Sequence, residues 1–265
     1  MMLCVPLLLA AGVLQPIGHI RTIFRSKFGT PRQGCLVPDA TAVLTLDAEA
    51  VGGDAAASLE GLDEYSHVWL VWGFHLHANA SPRAKISPPV LRGRKVGVFA
   101  TRAPYRPNPF GLSLVNLDSV DGGTLHLSGV DLVDGSPIYD IKPYISEWDA
   151  PHARGAPRVL GSTTVSSLDP TKRALDVIVT PAARMEMQRV MEERQKSGEC
   201  RLIEDATQLE RVLGQCLAAD PRPVYRWRKQ QRDGGTAEYD INLDDVCARC
   251  RFEVDGVTIT VLSIG

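Results

Sequence analysis

Three short clusters in the first half of the chain carry side chains that could do chemistry. "GTPRQG" places Pro31, Arg32 and Gln33 after a Gly-Thr turn. "TRAPYRPNPFG" holds Arg102 and Arg106 among three prolines. "DLVDGSPIYDIKPY" brings Asp134, Gly135, Ser136, Pro137, Asp140, Lys142 and Tyr144 into one run. Tight loops explain the Asp-Gly pair and the prolines, which set backbone angles. They do not explain long charged residues held among them. Proline fixes φ, so such a loop presents its charges at low ordering cost. A site for a small polar ligand needs that property.

Other chemistries lack their signatures. No Gly-x-Gly-x-x-Gly follows a strand, and there is neither a Walker-type phosphate loop nor a Gly-x-Ser-x-Gly elbow. This argues against a Rossmann nucleotide site or an α/β-hydrolase. His75 and His77 share one face of an expected strand and could be two ligands of a metal, but spacing supplies no third. Cys247 and Cys250 stand three apart on an expected strand, where their side chains point to opposite faces. No metal site is therefore expected.

The elements that must position the clusters read as β. "LVPDATAVLTL", "HVWLVWGFHLH", "KVGVFATR", "LSLVNLDSV", "TLHLSGVDLV" and "PIYDIKPYI" are short, rich in β-branched and aromatic residues, and punctuated by turn formers. Many short strands suggest a barrel or a sandwich. In "HVWLVWGFHLH", Val68, Leu70, Trp72, Phe74 and Leu76 form the core face, while His67, Trp69, Val71, His75 and His77 form a mixed one. Periodicity breaks over 148–168, a Pro/Gly/Ser-rich stretch that reads as a linker. Beyond it lie a strand "ALDVIVT", a helix capped by Thr180 and Pro181 and running to about Lys196, and a second helix opened by Asp205 and Gln208. A β tail follows, with Asp255-Gly256 as a hairpin turn. The expected division is 1–13 extension, 14–150 first domain, 151–168 linker and 169–265 second domain.

Bulk composition suits a globular chain: 44% apolar, 23% charged, net charge −2. The average hides segregation. Residues 65–117 hold no Asp or Glu but carry Arg83, Lys85, Arg92, Arg94, Lys95, Arg102 and Arg106. Such a chain can present a basic face at near-neutral net charge. Six scattered cysteines make no disulfide framework, which fits a reducing, cytoplasmic setting. The apolar start "MMLCVPLLLAAGVLQ" lacks a basic n-region. It reads as an extension packed on the domain or a misassigned start rather than a cleaved signal, with organelle targeting left open.

"PIGHIRTIFRSKFGTPRQG", "EYSHVWLVWGFH", "VGVFATRAPYRPNPFGLSLV" and "LVDGSPIYDIKPY" resemble, in that order and spacing, the TrmO family, also called TsaA-like. The likeness is close over 14–148 and looser through "DPRPVYR" to the C-terminus. It implies a mainly β fold: a small antiparallel β-barrel followed by a small α+β C-terminal domain, assembled as a homodimer. It implies an S-adenosylmethionine-dependent tRNA methyltransferase acting on N6 of N6-threonylcarbamoyladenosine, next to the anticodon of threonine tRNAs. By motif, the donor would be held by Pro31, Arg32, Gln33, His75, Leu76, Arg102, Leu112, Asp134, Gly135, Ser136 and Pro137. Ser136 stands where threonine is common and keeps the hydroxyl. Asp140 and His75 are the two candidates for a general base.

The run "DPRPVYRWRKQQR" interleaves Arg222, Arg226, Arg228, Lys229 and Arg232 with Tyr225 and Trp227. Cations for phosphates and aromatics for unstacked bases suit a single-stranded RNA loop; read alone, the run is slightly better taken as a solvated charged loop, and the family resemblance reverses that. With Arg106 and Lys142 of the first half, Arg222, Tyr225, Arg226, Trp227, Arg228 and Lys229 make the expected contact set for the anticodon stem-loop. Two other functions compete: a non-catalytic RNA-binding module on the same barrel, and a metal-dependent hydrolase using His75 and His77. The intact clusters speak against the first and the missing third ligand against the second.

Overall fold

A computed structural model describes residues 14–77, 81–87, 94–150, 175–196, 202–222 and 224–265. The N-terminal extension and the expected linker lie outside the described residues, as do the side chains of His77, Tyr225, Trp227 and Arg228.

Alternating burial along each strand builds the first half. β1 (Gly18–Thr22), β2 (Thr41–Leu46), β3 (His67–Gly73), β6 (Phe110–Asp121), β7 (Thr124–Ser128) and β8 (Ser136–Pro143) close an antiparallel barrel in the order β1-β2-β7-β6-β3-β8. Ile20, Leu44, Val68, Leu70, Val115, Leu125, Leu127 and Ile138 point inward and fill it. β1 was not among the expected strands, though "GHIRT" alternates buried and exposed residues along its length. A two-stranded ribbon, β4 (Lys85–Ile86) with β5 (Val96–Gly97), precedes the proline loop.

Two strand expectations need correction. β3 ends at Gly73 because its neighbour β6 begins at Phe110, opposite Gly73, so the ladder has no partner beyond it. His75–His77 form a 3-10 turn, which removes the shared strand face proposed for His75 and His77. "KVGVFATR" supplies only β5 and then a 3-10 turn, Val98–Ala100.

The short helix α1 (Ser146–Asp149) ends the first half. The second half is a four-stranded sheet, β10 (Ala237–Leu243), β11 (Val246–Phe252), β12 (Thr258–Ile264) and β9 (Asp176–Val179), with β9 parallel to β12. Between β9 and β10 run α2 (Pro181–Lys196), α3 (Ala206–Ala218) and α4 (Val224–Asp233). Thr180 Oγ1 accepts the Ala183 N–H at 3.1 Å, the expected cap. At α3, Asp205 Oδ1 accepts the Gln208 N–H at 2.7 Å while Gln208 Oε1 accepts the Glu204 N–H at 2.8 Å, a reciprocal arrangement like a capping box. Ala183, Met187 and Met191 of α2 and Leu209, Val212, Leu213, Cys216 and Leu217 of α3 are buried in the core. Asp255 turns β11 into β12, accepting the N–H groups of Val257 and Thr258 at 2.9 Å.

Candidate functional site

The polar clusters meet at one end of the barrel because the strand ends deliver them there. Gln33 and Arg102 join two clusters directly: Arg102 Nη1 donates to Gln33 Oε1, and Gln33 Nε2 donates to the Arg32 carbonyl. Pro31 is buried beside them. Gly34 closes the PRQG segment tightly against the chain at Gly129, where a Cβ would overlap the Gly129 carbonyl. Phe74 N–H donates to the Pro109 carbonyl at 2.9 Å, tying the end of β3 to the proline loop.

The turn Asp134–Pro137 forms the third side. Gly135 adopts φ +74°, a conformation that suits glycine, and its N–H donates to the Ile20 carbonyl at 2.9 Å. Asp134 spends both carboxylate oxygens on the scaffold: Oδ1 accepts the Thr22 N–H at 2.8 Å and Oδ2 pairs with Arg25 at 2.9 Å. Ser136 is 1% exposed. Asp134 and Ser136 therefore shape the turn from behind.

His75 faces that turn. Ser136 Oγ gives its only proton to the Val133 carbonyl at 2.6 Å, so its 3.3 Å contact with His75 Nδ1 must be donated by the imidazole. This leaves Nε2 as the acceptor nitrogen. Burial lowers the His75 pKa below its ordinary value, helped by His19 and Lys27 and opposed by Asp134. The imidazole is thus neutral at pH 7, with a lone pair available for a proton. Leu76 and Leu112 are 46% and 56% exposed, apolar surface beside polar loops.

Asp140 is not beside His75. It lies four residues along β8 from Ser136, on the order of 13 Å at strand spacing. Asp140 Oδ2 pairs with Lys142 at 2.9 Å, and Oδ1 accepts the Ile141 N–H at 2.9 Å. Trp69 Nε1 donates to Asp149 at 3.2 Å and its ring packs edge-on against Tyr144; Val71, on the same face, is half-buried.

The expected RNA set divides. Arg222 is 4% exposed: it grips Asp220 through Nε and Nη2 at 2.7 and 2.8 Å, reaches Gln230 at 2.7 Å and stacks 4.0 Å from the Phe252 ring. It is a structural residue, and its assignment as an RNA contact is corrected. The run it opens is no loop, because residues from Val224 onward form α4. Arg106 Nη1 donates to the Thr101 and Val98 carbonyls at 2.7 and 3.3 Å, which fixes the proline loop from inside. Arg226, Lys229 and Lys142 are exposed. Arg226 lies over the Tyr239 ring, on the wall of a cavity of about 460 Å³ that Phe28, Asn242 and Arg249 also line.

Sequence reasoning missed Asp131 and Ser113. Ser113 Oγ donates to Asp131 Oδ1 at 2.5 Å and accepts from Trp72 Nε1 at 3.0 Å. An Asp inside the apolar run "GVDLV" was the available signal. Among the described residues, no group of three or more His, Cys, Asp or Glu is placed to hold a metal ion, and no helix is long and apolar enough to cross a membrane.

Comparison with known proteins adds to this geometry. The family model described as "tRNA-methyltransferase O N-terminal domain" matches residues 19–150, and "TrmO C-terminal domain" matches residues 173–265. An Escherichia coli (strain K12) protein named tRNA (adenine(37)-N6)-methyltransferase is 36% identical over 253 residues, covering 94% of this chain and 96% of the relative. A Mus musculus protein of the same name is 45% identical over 150 residues, 56% of this chain and 35% of the relative. The chain spans about a third of the length of the mammalian relatives it matches. A crystal structure of TrmO from Pseudomonas aeruginosa superposes with TM-score 0.67 at 30% identity, covering 95% of this chain and 98% of that one.

Proposed function

The chain belongs to the tRNA-methyltransferase O family, and we propose from that premise that it methylates N6 of N6-threonylcarbamoyladenosine beside the anticodon of threonine tRNAs. S-adenosylmethionine is its donor, and the chain works as a cytoplasmic homodimer. The observation that carries this reading is the meeting of the PRQG segment, the proline loop and the Asp134–Pro137 turn at one end of the barrel, with a neutral imidazole beside them.

The residues present fit the donor. Arg102 suits its carboxylate, as a charge-assisted pair. Leu76 and Leu112 suit its apolar surface, and the Asp134–Pro137 backbone suits a polar edge. When bound, the donor supplies a methyl group on a sulfonium centre, open to in-line attack. Alignment by the protein dominates such a displacement. The target nitrogen sits in a urea linkage and must lose a proton, which His75 Nε2 is arranged to accept. Asp140 is the weaker candidate, because Lys142 and its own backbone occupy its carboxylate.

For the dimer, Trp69 and Val71 on the outer face of β3 are the apolar surface that a second copy would cover.

Two experiments test the reading. Calorimetry should detect one S-adenosylmethionine per protomer, and Arg102→Ala should weaken it by roughly 1.5–3 kcal/mol, about 10- to 150-fold in Kd. A variant that binds like the parent removes Arg102 from the site. No heat from the parent would favour a non-catalytic module. For RNA, neutralising Arg226, Arg228 and Lys229 together should reduce the log–log salt slope of tRNA binding by about 2. Donor affinity should hold, since α4 belongs to the other domain. An unchanged slope would take α4 out of the RNA interface.

A further inference from the structure

Asp131 belongs to none of the segments assigned to the donor, yet it lies next to three of them in space or in sequence. Ser113, the residue after Leu112, donates to it from β6, and Trp72 of β3 holds Ser113 in place. Gly34, the residue after Gln33, lies against the backbone of Gly129 and Val130, just before Asp131 in the chain, and its N–H helps to lower the Asp131 pKa, as does Asp131's own N–H. The positive charge of Arg102, whose Nη1 donates to Gln33, favours the ionised form. Three residues further on, the chain enters the Asp134–Pro137 turn, whose Ser136 hydroxyl bonds back to Val133.

We propose that Asp131, as a carboxylate, is the positioning residue of the donor site: it fixes Gly34, and with it Pro31–Gln33, and it orients Arg102. The inference rests on the donor-site reading above. Asp131 touches no reacting atom; it acts through the segments that do.

Asp131 is half-buried, and its charge is disfavoured where it stands. Burial pushes its pKa up to about 6, against the lowering effects of Ser113, its own N–H, Arg102 and Gly34. A folded pKa above the carboxylate's ordinary 3.8 means stability present below pH 3.8 and lost as pH rises through about 6. At neutral pH a neutral amide would suit the fold better. The donor site, in contrast, needs the charge to set Arg102.

Donor binding should therefore have an acid limb. If only the ionised form is competent, apparent affinity falls with the ionised fraction, about tenfold between about pH 7.5 and about pH 5. The groups acting on Asp131 are Ser113 of β6, itself held by Trp72 of β3, with Arg102 and Gly34. His75, by the turn with His19, Lys27 and Asp134 around it, is a second group whose titration is displaced toward acid.

The test is calorimetry with S-adenosylmethionine across that pH range on the full chain, for the parent, Asp131→Asn and Ser113→Ala, with melting temperatures beside it. Asp131→Asn should bind more than about tenfold more weakly at about pH 7.5, lose the acid limb attributed to Asp131, and melt no lower than the parent. Ser113→Ala removes a hydrogen bond that lowers the Asp131 pKa, so it should move the limb to higher pH. A limb belonging to His75 would stay in both variants. Parent-like affinity and pH profile in Asp131→Asn, or a limb unmoved in Ser113→Ala, overturns the proposal. So does an Asp131→Asn protein that melts well below the parent and loses the donor at every pH, which would make Asp131 a structural residue. A parent that binds no donor at neutral pH overturns this proposal and the donor-site reading together.

Discussion

Gly34→Ala is expected to lower stability by about 3 kcal/mol, the upper end of overpacking costs, and to abolish measurable donor binding. The added Cβ would overlap the Gly129 carbonyl oxygen and fall 2.9 Å from its carbon. Both obstacles are backbone, so no side chain can rotate away. Gly129 is itself at φ +67°, held between β7 and the Val130 N–H that donates to Ala40. The segment must move instead, and it carries Gln33, which accepts from Arg102. Gly97→Ala is the matched control. A Cβ there meets nothing within 4 Å, so the change should stay within about 0.5 kcal/mol. Chemical denaturation and calorimetry with S-adenosylmethionine read both effects. A Gly34→Ala protein as stable as the control, with full donor affinity, would show that the PRQG segment does not need this close approach.

Asp244→Ala should cost about 3–5 kcal/mol. Asp244 is 4% exposed and joins the two halves of the molecule. Its Oδ1 pairs with Arg25 of the barrel and its Oδ2 with Arg194 of α2, both at 3.0 Å, and its N–H donates to the Ile23 carbonyl at 2.6 Å. Arg194 is 9% exposed on its side chain, so the substitution removes the closest carboxylate from a cation with little access to water. The backbone adds to the loss, because Asp244 sits at φ +52°, which Asp tolerates better than Ala. Arg25 also holds Asp134, so donor affinity should fall with stability. Denaturation midpoints at unchanged m-value check the prediction. A loss below about 1 kcal/mol would mean the network is solvated rather than buried.

Much of the barrel was legible because its strands alternate. Val68, Leu70 and Trp72 fall on the core face as their spacing requires. The end of β3 was not legible, since it depends on where β6 begins, a fact of pairing rather than of local sequence. The helices of the second half were read from caps whose bonds are local: Thr180 to Ala183, Asp205 to Gln208. Arg222 was misassigned because a charge run counts cations without burial. Its partners Gln230 and Phe252 come from α4 and the sheet, beyond the reach of spacing. The three clusters were found because proline and arginine together are conspicuous. Asp131 was passed over because its environment exists only after Gly34, Ser113 and Arg102 have been brought to it.

The central claim is methyl transfer from S-adenosylmethionine to N6-threonylcarbamoyladenosine. The full chain, donor labelled in its methyl group, and two anticodon stem-loops, one carrying the threonylcarbamoyl group and one with plain adenosine, suffice to test it by mass analysis of the released nucleosides. The account predicts one labelled methyl on the threonylcarbamoyladenosine, none on the plain adenosine, and a sharp loss of rate in His75→Ala. Donor binding without any labelled nucleoside, or label placed on the unmodified adenosine instead, would contradict it.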